Sequence, residues 1–153
     1  MLFFARQYPL PKITSAFTKF KVFVPYAWGN MSDGPGLGGA FANVVVAQPY
    51  EIATETYQEQ GPFNDLDTAT KHAKYILTRF ARALLFLNKN SQHSTSAWGA
   101  VPVQNFSEPW WDGSIEEIEL SLMSKYQIPK DVSTFVLSNI QIKAEKNITG
   151  YVK

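Results

Sequence analysis

From Asp65 to Asn90 the chain reads DLDTATKHAKYILTRFARALLFLNKN, and its apolar residues recur at steps of three and four. Leu66, Ala69, Ala73, Ile76, Leu77, Phe80, Leu84 and Leu87 line one side of a 3.6-residue helix, so the pattern predicts a single long helix over this stretch. Asn64 stands in the N-cap position, with Asp67 three residues on where a capping acid belongs. Acids in the first turn and bases thereafter suit the helix dipole. The same periodicity places Lys71, Tyr75, Arg82 and Lys89 opposite the apolar stripe. Ala83 to Leu87 is apolar nearly all round, so that end is expected to be enclosed on several sides. Beyond it lies a polar loop, Asn88 to Ser96, which the helix delivers to the surface.

Around this helix the pattern predicts short strands. Phe20–Pro25 alternates apolar residues with Lys21, Ala42–Ala47 is a β-branched run suited to a buried strand, and Thr54–Gln60 is a polar, one-sided strand closed by Gly61-Pro62. Ala97–Val103 reads as a further strand whose Pro102 puts it at an edge or bulge. Ser107–Gly113 is a turn carrying Trp110 and Trp111. Ser114 caps a helix over Ile115–Lys125 with Glu117 in the capping-box position. A second short helix follows Pro129 and Lys130, with Val132, Phe135, Val136, Asn139 and Ile140 as its core side. Residues 1–17 form an irregular arm, 143–153 a weakly patterned tail, and Gly29–Gly39 a glycine-rich connection matching no phosphate or dinucleotide motif. The fold class expected is α+β: a small mixed or antiparallel sheet crossed by one long helix, with two short C-terminal helices.

At 153 residues the chain is one domain's worth, and 45% hydrophobic and 14% aromatic content argues for a packed globule. With no cysteine there is no disulfide framework and no thiolate chemistry. No apolar run reaches the roughly 18 residues a membrane span needs, and the start MLFFARQYPLPK lacks the form of a signal peptide, so a cytoplasmic location is expected. The abrupt start suggests a piece of a larger protein. The net charge of +1 hides segregated blocks: residues 1–21 and 68–107 carry bases without acids, while 22–67 carries acids without bases. Such blocks can polarise a surface, and a basic face suits a polyanion.

Enzyme signatures are thin. The two histidines, His72 and His93, have no metal-spaced companions, and His72 reads as a solvated residue on the flank of the helix. Ser91, Ser94 and Ser96 lack an orienting acid and a nucleophile elbow. Glu51, Glu55 and Glu59 would share a strand face but read as solvated edge residues, and Asp131 reads as an acid opening a helix. Nucleic-acid chemistry is better served. Lys71, Tyr75, Arg82 and Lys89 offer a phosphate-facing side, and Asn90, Gln92, His93, Ser94 and Thr95 offer amides, a ring and hydroxyls suited to base edges.

Six segments in order carry a resemblance. They are Phe20–Pro25, Thr54–Tyr57 ahead of Gly61-Pro62-Phe63, Tyr75–Phe80, Gln92–Thr95, Val101–Trp110, and the end with Lys125-Tyr126 and Phe135–Ile140. Over roughly residues 18–142 the chain resembles the C-terminal target-recognition region of adenine-specific DNA methyltransferases of bacterial restriction-modification systems, alone or fused to a nuclease. The resemblance implies a module that docks double-stranded DNA against a separate methylase domain, with S-adenosylmethionine bound in that missing domain and no cofactor here. The family's Asn-Pro-Pro-Tyr methylation motif and its glycine-rich cofactor motif are absent; Val24-Pro25-Tyr26 and Gln48-Pro49-Tyr50 lack the asparagine. No catalysis by this chain itself is therefore expected. The alternative expectation is a protein-interaction module docking a partner through Trp98, Trp110 and Trp111; a metal-dependent nuclease built on the acids is a third.

Overall fold

The structure, a computed structural model, describes residues 14–27, 43–88 and 95–150. Four strands form one mixed sheet in the order β3-β1-β2-β4: β1 (Phe20–Pro25), β2 (Val44–Ala47), β3 (Tyr57–Phe63) and β4 (Ile148–Gly150). β1 pairs antiparallel with both β2 and β3, whereas β4 runs parallel to β2. Successive side chains alternate between faces, so Val22 and Val24 of β1 and Val44 and Val46 of β2 all point to the side covered by helix. α1 (Leu66–Leu77) lies across β1, β2 and β3, burying Ala69, Ala73, Ile76 and Leu77. The α+β class and the mixed sheet are as expected from the sequence.

The long helix is two helices. After α1 the backbone of Thr78 turns to φ −60°, ψ 148°, and α2 resumes at Arg79 and runs to Asn88. Thr78 serves both ends of the break. Its N–H and hydroxyl donate to Tyr75 O at 3.1 and 2.6 Å, closing α1, while its Oγ1 accepts from the Ala81 N–H at 3.2 Å, opening α2. A hydroxyl that bonds the backbone locally is what lets the ladder be interrupted here. The apolar period runs on through Thr78, which is why the break is invisible in the pattern. The N-cap is Asp65 rather than Asn64: its carboxylate accepts from the Thr68 N–H at 2.7 Å. Asn64 instead accepts from Lys19 Nζ at 3.1 Å. Leu87, at the end of the stripe, is exposed.

Gly61-Pro62 does not close β3. Phe20 pairs with Phe63 and Val22 with Gln60, so two residues of β3 oppose the single Lys21 and form a bulge. Gly61 takes φ +143°, a conformation L side chains rarely adopt, and the strand continues to Phe63. Ala97–Val103 is not a strand either. Residues Thr95–Ala100 form a 3-10 turn with Ala97 buried and Trp98 Nε1 donating to Gln58 Oε1 on β3 at 2.6 Å.

At the C-terminal end, α3 (Ile115–Lys125) forms as its capping box predicts, with Ser114 and Glu117 exchanging bonds. α4 (Lys130–Asn139) has no buried residue, and Val132 and Phe135 are 45% and 56% exposed rather than in the core. Val136 and Leu137 alone of that helix rest against the interior, with Ile140 just beyond it buried. The tail is structured: Ile148–Gly150 supplies β4, paired with Val44–Val46. Among the described residues, no helix is long and apolar enough to cross a membrane.

Candidate nucleic-acid interface

The side of α1 opposite the sheet is not solvent-facing. Residues 101–113 and α3 lie over it, and Lys71 and Tyr75, both expected to meet DNA, find partners there. Lys71 Nζ sits 2.8 Å from both Asp67 Oδ2 and Asp112 Oδ1. Those two hydrogen-bonded carboxylates, Asp112 first, raise the pKa of its ammonium. Lys74 Nζ donates to Gly113 O at 2.8 Å. Tyr75 is buried, its hydroxyl donating to Pro102 O at 2.8 Å and accepting from Gln104 Nε2 at 3.3 Å. Its ring meets Trp111 and Phe106 edge-on at 5.7 and 6.5 Å, and burial raises the phenol's pKa.

Arg82 is the largest departure. The break at Thr78 carries it off the expected outer face, and it is 1% exposed. Its Nε donates to Leu77 O at 3.0 Å and its Nη2 to Gln141 O, while Nη1 is buried without a hydrogen-bond partner. Burial, with Arg79 nearby adding to the push and Glu119 opposing it, lowers the guanidinium pKa to about 10. Beside it, Arg79 and Glu119 lock α2 to α3. The Glu119 carboxylate accepts from Arg79 Nε at 2.9 Å, from Nη2 at 2.7 Å and from the Arg79 backbone N–H at the start of α2. Arg79 Nη1 reaches Leu137 O at 2.6 Å, so the same guanidinium also ties down α4. An acid at a helix N-terminus is favoured by the exposed N–H groups and the dipole. Glu119 lies next to the stripe Ile115, Ile118, Leu122; an acid within an apolar stripe was the readable sign of this buried pair.

His72 is packed rather than solvated. Its ring lies 4.9 Å from Phe63 and 5.9 Å from Phe106, and Nε2 is 2.6 Å from Gln60 Oε1. The amide oxygen can only accept, so Nε2 carries the proton. Burial with no carboxylate partner lowers the imidazole pKa to about 4, leaving the ring neutral.

Of the remaining expected residues, Lys89, Asn90, Gln92, His93 and Ser94 lie outside the described residues, and Thr95 opens the 3-10 turn. The tryptophans do not make an apolar docking surface. Trp111 is fully buried, donating from Nε1 to Asn105 O at 2.9 Å, and Trp110 and Trp98 are largely enclosed against the core. Nor do the glutamates line one strand: only Glu59 is in β3, accepting from Thr14 at 2.6 Å, while Glu51 accepts from the Gln48 N–H at 2.8 Å. Among the described residues, no group of three or more potential ligands is placed to hold a metal. Comparison with family models, with curated proteins and with solved structures returns no match for this chain.

Proposed function

We propose that this chain is a DNA-recognition module of an adenine-specific methyltransferase, without catalytic activity of its own. It works in the cytoplasm against a methylase domain that binds S-adenosylmethionine. The observation that carries the reading is where the resembling segments meet. Phe63, Tyr75, Phe80, Gln104, Phe106, Trp110 and Tyr126 come from four segments of that resemblance, and Trp111 adjoins one of them. They meet at the core and its rim: Phe80 stacks at 5.1 Å on Tyr126, which is 36% exposed, Gln104 bridges Tyr75 and Tyr126, and Phe106 meets Trp111 at 4.7 Å. A set of residues that forms one joined interior supports a shared fold. DNA contact then falls to groups outside that interior, and the segment joining α2 to the 3-10 turn carries suitable chemistry in Lys89, Asn90, Gln92, His93 and Ser94.

Selection from a random duplex pool by the purified chain tests this. Enrichment of a short site, with cognate preference lost on Gln92→Ala, is the result expected. Failure of the wild-type chain to enrich any sequence, or methyl transfer to DNA by the chain alone, would overturn the reading.

A further inference from the structure

The turn joining α3 to α4 is built differently from the helix ends around it. α3 ends with Ile128 N–H donating to Met123 O at 2.9 Å and Gln127 N–H to Ser124 O at 3.0 Å. That pair of bonds requires a left-handed residue after the cap, a position that glycine ordinarily takes. Here it is Gln127, at φ +51°. A long side chain is held in a conformation that disfavours it, which raises the question of what the side chain does there. The Gln127 side chain is exposed and makes no hydrogen bond among the described residues.

The surroundings fix this turn in place. Tyr126 stacks on Phe80, and its hydroxyl accepts from Gln104 Nε2 at 2.8 Å. Lys125 Nζ donates to Gln104 Oε1 at 3.0 Å and lies 5.8 and 5.7 Å from the Trp110 and Tyr126 ring centres. Neither Lys125 nor Lys130 forms an ion pair among the described residues, unlike Lys71 and Arg79, which are neutralised by acids. From Ser124 to Lys130 there is no acid; Asp131 follows at the first turn of α4.

We infer that this turn is a DNA-contacting surface, with Lys125 and Lys130 set on phosphates and the Gln127 amide presented to base edges. Two exposed cations without an acid partner, flanking an amide on a rigid support, match the division between positioning and reading contacts on a duplex. The inference rests on the DNA-recognition reading above and adds to it a surface that the sequence did not suggest.

The test measures stability and binding together, by fluorescence anisotropy with the selected duplex and a scrambled duplex of the same composition. Gln127→Gly relieves the left-handed strain, so the melting temperature should rise by about 2–4 °C. Binding to the selected duplex should nonetheless weaken roughly tenfold, with the scrambled duplex little affected. Lys125→Ala and Lys130→Ala should each lower the salt slope by about one unit on both duplexes. A melting temperature that rises while all affinities and slopes stay at the wild-type values would make the turn a helix terminus only. It would overturn this inference and leave recognition through residues 89–94 standing. Absence of wild-type binding to either duplex at low salt would overturn both.

Discussion

Arg82→Ala separates a structural arginine from a DNA-facing one. The side chain is interior, and truncation removes two charge-assisted hydrogen bonds, to Leu77 O and Gln141 O. Each is worth about 1.5–3 kcal/mol where the donor is charged. The two methylenes lost beyond Cβ add about 1.6 kcal/mol of lost burial. Against this, the mutation releases a poorly solvated cation. Its pKa is lowered to about 10 by burial, so holding the charge inside costs about 3 kcal/mol at 1.36 kcal/mol per pKa unit. The net expectation is a loss of about 2–5 kcal/mol, read as a lower urea midpoint at unchanged m-value. Arg82→Met, which keeps the stem and drops the charge, should cost clearly less than Arg82→Ala. Because the guanidinium is sealed from solvent, any folded Arg82 variant should keep the wild-type salt slope of DNA binding. A stability loss under about 1 kcal/mol together with a slope lowered by about one unit would place Arg82 on the DNA and refute the packing described here.

Glu119→Ala leaves the Arg79 guanidinium and the first N–H of α2 without their acceptor, and should destabilise by about 3–5 kcal/mol in denaturant melts; a loss near that of an exposed pair, under about 1 kcal/mol, would deny the lock between α2 and α3. His72 makes stability pH-dependent. Its folded pKa of about 4 lies below the ordinary 6.5, so the unfolded chain binds the proton more readily between these values and stability falls as pH drops from 6.5 to 4. The fall attributable to this ring is at most about 3 kcal/mol, and His72→Gln should remove that part of the slope; an unaltered pH profile in the variant would contradict the buried neutral ring.

Local chemistry was legible in the sequence where the deciding contacts are near in the chain. β1, β2 and the capped α3 follow from alternation, β-branching and a box closed within four residues. What was lost depends on distant partners. Thr78 breaks the helix without interrupting the apolar period, because its hydroxyl, rather than a glycine or proline, supplies the cap. Lys71, Tyr75 and Arg82 looked external on a helical projection, yet Asp112, Pro102 and Gln141, between 27 and 59 residues onward, enclose them. Gly61-Pro62 reads as a terminator, but a bulge opposite Lys21 absorbs it. β4 has three residues and little pattern; its strand character comes from lying parallel to β2, about a hundred residues earlier in the chain. The α4 stripe was read correctly as apolar, while the packing uses only its Val136–Leu137 edge.

The proposed recognition of DNA uses groups outside the interior where the resembling segments meet. The most direct measurement is the salt dependence of duplex binding by the purified 153-residue chain. Phosphate contacts by Lys89, Lys125 and Lys130 predict that log K falls linearly with log salt, with a slope of about −3. A slope near zero, or no binding at low salt, would contradict it.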